Sequence, residues 1–419
     1  MPRFDTVQVC VDVDGSGQTA FMGELHCQQS GSGEIFSFEY DKHWLARPEV
    51  FAFDPDLALS AGHQYPAADR TSFGIFLDSS PDRWGRVLMQ RRENSRARHE
   101  KRRARTLTEW DYLLGVHDET RLGALRFREL PDGPFIDSDD QFAAPPITSL
   151  RELQAASLQF EEHMNEEEHP EFEKWMTQLF APGTSLGGAR PKASVRDEKG
   201  VLCMAKFPSR QDIRDVGGWE LVAHRLASKA GIIVPDARPL RLQGSPYTTF
   251  LVKRFDRNAH GGRLAFVSAM TLTQHKDGDA GASYLELVDL LQSRGSNREA
   301  DCEQLFRRVV FNILIHNTDD HLRNHGFFID ARGVRLSPAY DMNPSVDRTE
   351  LSLAINEVDA ECDLSIAMNT RKDYGLSALR AEQVRREVQA ATATWRDKAN
   401  HLQISKAEQD RMSVAFEHG

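Results

Sequence analysis

The chain opens on alternation. Val7, Val9, Val11 and Val13 fall two apart, so a strand would carry them on one face. Turn residues Asp14-Gly15-Ser16-Gly17 follow, and Phe21 to Leu25 and Glu34 to Tyr40 continue an antiparallel meander. Asp12-x-Asp14-x-Ser16-Gly17 has the opening of a calcium loop. Its twelfth position is Gly23, however, Glu24 falls one place late, and strands flank it, so a hairpin turn is expected. Beyond Ser72 the pattern turns helical. Ser79 or Ser80 before Pro81, with Asp82 in the first turn, predicts a helix start. That helix runs into the basic stretch Arg91, Arg92, Arg96, Arg98, Lys101, Arg102, Arg103 and Arg105, read as a solvated face or, alternatively, a surface for an anionic partner. Thr108 to Leu114 predicts a short apolar helix, and Gly123 to Phe127 a returning strand. Residues 131–148, rich in Pro, Asp, Gly and Ser, read as a linker, and Leu153 to Leu179 as a pair of helices around an acidic solvated run.

The second half repeats the change of period. Ala193–Val195 and Val201–Phe207 are strand-like, Trp219, Val222, Ala223, Leu226 and Ala230 recur at helical spacing up to Gly231, and strands return around 237–242 and 248–254. From Tyr284 onward the pattern is mainly helical, and 377–416 predicts one or two terminal helices. The expected class is α+β. Its parts are a β-rich region over 1–130, a linker with helices over 131–180, a small sheet with one helix over 181–256, and a helical region over 257–419.

Composition narrows this little: 40% hydrophobic and 27% charged residues describe an ordinary globular chain. A net charge of −11 argues against coating nucleic acid through bulk charge, though not against a local basic patch. Five cysteines never form a Cys-x-x-Cys pair, which suggests a reducing compartment without structural zinc or a disulfide framework. The N-terminus has no apolar signal core, and no stretch approaches the roughly 18 apolar residues of a membrane span. A soluble, cytoplasmic protein is expected.

The chemistry concentrates between Ile315 and Pro344, where four aspartates, three histidines and three asparagines sit between apolar segments. Asp319 and Asn324 stand in an Asp-x-x-x-x-Asn arrangement, and Asp341 follows a short strand. Phosphoryl transfer needs such a set: one carboxylate near the acceptor hydroxyl, and an Asn with a second carboxylate to hold magnesium. The adjacent Asp320 competes for the first role, and spacing to Asn324 favours Asp319. Two other readings stand beside this one. A metal-dependent hydrolase would use His316, Asp319, Asp320, His321 and His325, and a structural polar cluster would use none of them chemically. Upstream, the Gly-rich segment Ser185 to Lys192 lacks a Walker pattern, Lys206 ends a strand, and Glu220 stands in a first helical turn. Singly these are weak. Their order is that of a protein kinase: Gly-rich loop, strand lysine, helix glutamate, Asp-x-x-x-x-Asn, then a metal-binding aspartate.

On these residues the chain resembles the HipA-like serine/threonine kinases, the toxin halves of bacterial toxin–antitoxin pairs. The matching segments are Phe73–Arg86 with its Asp78-Ser79-Ser80-Pro81-Asp82-Arg83-Trp84-Gly85-Arg86, Ser185–Lys192, Ala205-Lys206-Phe207-Pro208, Gly231–Pro235, Val252–Arg257 with its Arg254-Phe255-Asp256-Arg257, Asn317–Phe327 and Ser337–Asn343. The resemblance implies a two-lobed protein-kinase-like fold with an extra N-terminal β-rich subdomain and an all-α C-terminal lobe. It implies ATP and Mg²⁺, with Ser185, Gly187, Gly188, Ala189 and Lys192 in the phosphate loop and Lys206 on the phosphates, paired with Glu220. The adenine hinge would lie near Lys253 to Phe255, with His321 also at the nucleotide. Asp319 becomes the catalytic base, and Asn324 and Asp341 the metal ligands. Ser185 matches the family's inactivating autophosphorylation position, where a charge of about −2 would repel ATP phosphates. Implied partners are a translation-related protein substrate such as an aminoacyl-tRNA synthetase and a HipB-like helix-turn-helix antitoxin, through which DNA is reached only indirectly. Two features depart: Met342-Asn343 follows Asp341 where eukaryotic kinases have Phe-Gly, and Lys253 stands at a hinge position where a relative has an acidic residue, so its adenine contact would come through backbone. A weakly active co-repressor module and a small-molecule phosphotransferase remain the alternatives.

Overall fold

The valine alternation forms the middle of a sheet. In the computed structural model, which describes residues 5–12, 15–31, 33–139, 143–164, 166, 169, 171–180, 188–279 and 281–417, strand β1 (Thr6–Asp12) pairs antiparallel with β2 (Thr19–Ser30) on one side. On its other side it pairs with β5 (Leu125–Arg128), while β3 (Gly33–Tyr40) and the two-residue β4 (His63–Gln64) complete the order β4-β3-β2-β1-β5. A central strand can be covered on both faces, and Val7, Val9 and Val11 are fully buried while Cys10 on the opposite face is 1% exposed. The register of β1 on β2 shifts between Val9 and Cys10. Gly23 sits at this bulge, where an added Cβ would lie 2.2 Å from the Glu39 carbonyl, so only glycine fits.

The chain divides into two compact units, Met1–Gln211 with Asp256–Val267 and Ile329–Ala331, and Asp212–Phe255 with Ser268–Phe328 and Arg332–Gly419. The stretch 181–256 is thus shared between them. In the first unit the helices Arg83–His99, Leu150–Glu162 and Phe172–Phe180 bury Trp84, Leu88, Phe160, Phe172, Met176 and Leu179 as one cluster, with Trp84 edge-on to Phe160 at 5.6 Å. The helix after Pro81 starts later than the serines suggest. Asp82 is its N-cap, accepting from Gly85 N at 2.8 Å. Ser79 and Ser80 instead donate back to the Ile75 and Phe76 carbonyls and close the preceding helix Gly74–Asp78. Strands β6 (Lys192–Arg196) and β7 (Leu202–Lys206) form an antiparallel hairpin.

In the second unit, Asp215 caps the helix Val216–Lys229 through Gly218 N (3.0 Å) and also accepts from Thr248 N (2.8 Å) and Oγ1 (2.7 Å). One carboxylate thereby fixes the helix start against the strand Thr249–Lys253, which pairs antiparallel with Ala237–Leu240. Terminal helices close on the same helix: Glu408 accepts from Asp215 N and Trp219 Nε1, both at 2.8 Å, and Trp395 lies 6.0 Å from Trp219. The expected α+β class and mainly helical C-terminal region are what the chain adopts, but that region is not all-α, since it also carries the strands Gly326–Asp330 and Gly333–Leu336. No helix among the described residues is long and apolar enough to cross a membrane.

Candidate active site

The helix Arg298–Leu314 delivers the polar stretch. It is buried all round near its end, with Leu305, Phe306, Val309, Val310, Phe311 and Ile313 at zero exposure. It ends in a Schellman pair of hydrogen bonds, Asn317 N to Asn312 O (2.8 Å) and His316 N to Ile313 O (3.2 Å). His316 takes the left-handed turn at φ 51°, a place where glycine is usual. The chain then passes through a single 3-10 turn, Leu322–Asn324, into the strand Gly326–Asp330.

This path sends the two adjacent carboxylates opposite ways. Asp320 is 3% exposed, and its Oδ2 accepts from Asn312 Nδ2 at 2.7 Å and from the Tyr284 hydroxyl, and meets His325 Nε2 at 2.8 Å. Asn312 Oδ1 accepts from Asn317 Nδ2 (3.1 Å), and Asn317 Oδ1 from Asn343 N (3.3 Å). Burial pushes the Asp320 carboxyl up. The charge and hydrogen bond of His325, the Tyr284 hydroxyl and the charge of His321 outweigh this and hold it below the ordinary value. Burial, then the charge of Asp320 and the bond to it, push the Tyr284 phenol well above its ordinary range. Asp319 is exposed, and its carboxylate has no hydrogen-bond or ion-pair partner among the described residues. Only its backbone carbonyl is used, accepting from Asn324 Nδ2 at 3.0 Å. That bond orients Asn324, which is 6% exposed, and leaves its Oδ1 unspent.

Asp341 is half-buried at φ 58°, a left-handed conformation that aspartate tolerates better than most residues. The preceding Tyr340 is anchored at both ends: its hydroxyl donates to Arg323 O at 2.7 Å, and its ring stacks on Phe255 at 5.1 Å and 25°. Lys253 is half-buried, donates its backbone N–H to Asp236 O at 2.8 Å, and has no side-chain partner among the described residues. Glu220, on the inner side of Val216–Lys229, is 5% exposed. His321 is half-buried, with a buried Nδ1 that has no hydrogen-bond partner among the described residues. The second unit therefore brings Asp319, Asn324 and the Asp320 network together around one turn of chain.

Other expected residues lie in the first unit. Lys206 ends β7, half-buried, and sits opposite Lys192 in the hairpin. Lys192, expected on phosphates, is 2% exposed, with Nζ 2.7 Å from Asp82 Oδ2 and 3.0 Å from Gly188 O. Its ammonium holds down the end of the Gly-rich segment instead, because a buried carboxylate is the nearest counter-charge. Gly188 at φ 89° also accepts from Trp84 N at 3.4 Å, and Ala189 is exposed. Ser185 and Gly187 lie outside the described residues.

Sequence reasoning missed Tyr284, Asn312 and Asp82. Asn312 left a readable signal, a polar residue on a helix otherwise apolar at that level; Asp82 was legible only as a helix-start residue, and Tyr284 left none. The histidines do not form the hydrolase set. His321 and His325 flank a 3-10 turn rather than sharing an α-helical face, and His325 is committed to Asp320. The basic run is largely spent on its own chain: Arg102 pairs with Glu93 and Glu100 at 2.6 Å, Arg96 with Glu100 at 2.8 Å, and Arg105 with Asp111 at 2.7 Å.

Comparison with known proteins places the fold first. The structure superposes on HipA from the Shewanella oneidensis MR-1 toxin–antitoxin system, solved with HipB and its operator DNA, with a TM-score of 0.64 at 18% identity, covering 98% of this chain and 95% of that one. This is the HipA fold. The profile of the HipA-like C-terminal domain matches residues 184–395, just over half the chain, and the chain belongs to that family. Two curated proteins that carry the name of kinases are also similar. The Sinorhizobium fredii protein Y4mE is 23% identical over 233 residues, 49% of this chain and 54% of that protein. A Haemophilus influenzae protein is 26% identical over 181 residues, 38% of this chain and 52% of that protein. The chain thus spans about half the length of the curated relatives it matches.

Proposed function

We propose that this chain is an ATP- and Mg²⁺-dependent protein serine/threonine kinase of the toxin–antitoxin type. The observation that carries the reading is the division of labour between neighbours: Asp320 is buried in a satisfied network, while Asp319 is exposed with an unspent carboxylate beside the oriented Asn324. A general base must be free to meet an incoming hydroxyl, and only Asp319 of the pair is.

In this reading Asp319 takes the proton of a serine or threonine hydroxyl. The hydroxyl oxygen bonds to the γ-phosphorus as the bond to the β–γ bridging oxygen breaks, and ADP leaves. Asn324 Oδ1 and the Asp341 carboxylate are hard oxygen donors of the kind magnesium prefers, so the residues present fit that ion. Mg²⁺ held by Asn324 and Asp341 would neutralise charge on the nucleotide phosphates. Lys206 is the residue for the phosphates, and the backbone between Lys253 and Phe255 faces adenine. Phosphorylation of Ser185 is the off-switch, by charge repulsion on the loop. The partner is a HipB-like helix-turn-helix antitoxin, a reading supported by the assembly in which the Shewanella HipA was solved, and the substrate is a translation-related protein such as an aminoacyl-tRNA synthetase.

Incubation with γ-labelled ATP, Mg²⁺ and host lysate tests the activity. Transfer to protein that disappears in Asp319→Ala supports it, and no transfer by wild type refutes it. Phosphopeptide mapping after incubation with Mg-ATP should find Ser185 modified; label only elsewhere refutes the off-switch.

A further inference from the structure

We propose that His26, Glu39 and His63 form a binding site for a transition-metal dication, Zn²⁺ above others, on the polar face of the five-stranded sheet. The three residues come from three neighbouring strands, β2, β3 and β4. Glu39 stands directly opposite His63 in the β3–β4 register, and His26 stands opposite Ser37, two residues along β3 from Glu39. Residues two apart share a face, so all three side chains emerge on one side. Leu25 and Phe38, which point the other way, are fully buried in the core.

The distances suit one ion. One potential ligand atom from each residue lies within 4.8 Å of the others. His63 Nε2 and Glu39 Oε2 are 3.5 Å apart, close to the edge of about 3.4 Å expected for a tetrahedron with zinc bonds of about 2.1 Å. The His26 and His63 rings are tilted by 54° with centroids 5.1 Å apart, so they converge rather than stack flat.

His26 supplies an independent reason. Its Nδ1 is bonded to Thr6 Oγ1 at 2.9 Å, which orients the ring and leaves Nε2 for another partner. Nε2 is buried and has no hydrogen-bond partner among the described residues. A buried polar atom left unpaired is costly, and a metal on that nitrogen removes the cost. Two imidazoles and a carboxylate are a recurrent zinc donor set, whereas magnesium and calcium favour oxygen alone. Glu39 and His63 are about half exposed, which leaves the fourth position to water. Because β4 is only two residues long, an ion on His63 ties that short edge strand to the sheet.

The test uses the untagged full chain, stripped with a chelator and titrated with ZnCl₂ by calorimetry, with Co²⁺ as a spectroscopic probe and Mg²⁺ as control. Expected are one Zn²⁺ per chain, a Co²⁺ visible spectrum of low coordination number, and no competition by Mg²⁺. His63→Ala and Glu39→Gln should each weaken Zn²⁺ binding at least about 10-fold, and Thr6→Val, which removes the bond orienting His26, about 10–100-fold. Both ligand substitutions are at half-exposed positions, and an unchanged metal-free melting curve shows that they fold. The proposal is overturned if wild type binds no Zn²⁺, or if the variants keep the wild-type affinity and stoichiometry, which would assign the metal to other histidines among the fifteen.

Discussion

Two charged clusters in this molecule look alike in sequence and differ in what they leave over. In the first unit, Asp118 is ion-paired to Arg126 and to Arg263 (3.0 Å), and Asp256 binds Gly123 N (2.9 Å) and Arg257 (2.6 Å). Arg121, fully buried, donates to the carbonyls of Ser79, Leu113 and Val116, and burial lowers its pKa to about 10, which leaves it cationic at neutral pH. The motif Arg254-Phe255-Asp256-Arg257 thus contributes a structural anchor, since Arg257 also donates to the Glu119 and Arg121 carbonyls. In the second unit Asp320 is spent in the same manner, but Asp319 beside it is not. Crowded charge therefore does not mark chemistry. A charge that the fold orients and leaves unpartnered does.

The largest effects are expected in the first unit. Asp118→Ala strands Arg126 and Arg263 and should cost about 3–5 kcal/mol, read as a fall in denaturant midpoint. Lys192→Ala, which strands Asp82 with both side chains under 5% exposed, should cost a similar amount. If either variant unfolds at the wild-type midpoint, the clusters are not structural in the sense argued. Asp320→Ala leaves buried donors on Tyr284 and Asn312 and should cost about 1–3 kcal/mol.

The same residue sets a pH signature. The folded Asp320 carboxyl lies below its unfolded value, so the unfolded chain binds the extra proton and acid favours unfolding. Its stabilisation is complete above the unfolded value of about 3.9 and is lost as pH falls through the folded value. Asp320→Asn should accordingly flatten the acid limb of the stability curve, and an unchanged limb would remove Asp320 from the account. The smallest effect is outside both clusters: Thr108→Ala, which breaks the capping box with Asp111, should cost about 1 kcal/mol.

Regular periodicity made much of this fold readable. Val7, Val9 and Val11 announced a strand, and Trp219, Val222, Ala223 and Leu226 a helix, because burial of one face imposes a spacing that survives in sequence. Boundaries set by competing hydrogen bonds were harder. Ser79 and Ser80 are good caps by type, yet their hydroxyls bond backward and Asp82 takes the cap. Contacts made across the fold left almost no trace: Lys192 finds Asp82 across 110 residues, and Tyr284 reaches Asp320 across 36. The proposed metal ligands follow the same rule, since three strands supply one residue each and no motif spacing results. The Asp319–Asn324 pairing was legible because both residues lie on one short turn.

The most direct test of the central claim assays Asp319→Asn and Asp320→Asn side by side with γ-labelled ATP, and melts each variant. Asp319→Asn is expected to lose about 10²–10⁴-fold in phosphoryl transfer at an unchanged melting temperature, while Asp320→Asn is the variant whose melting temperature falls. Wild-type transfer rates in Asp319→Asn would contradict that claim.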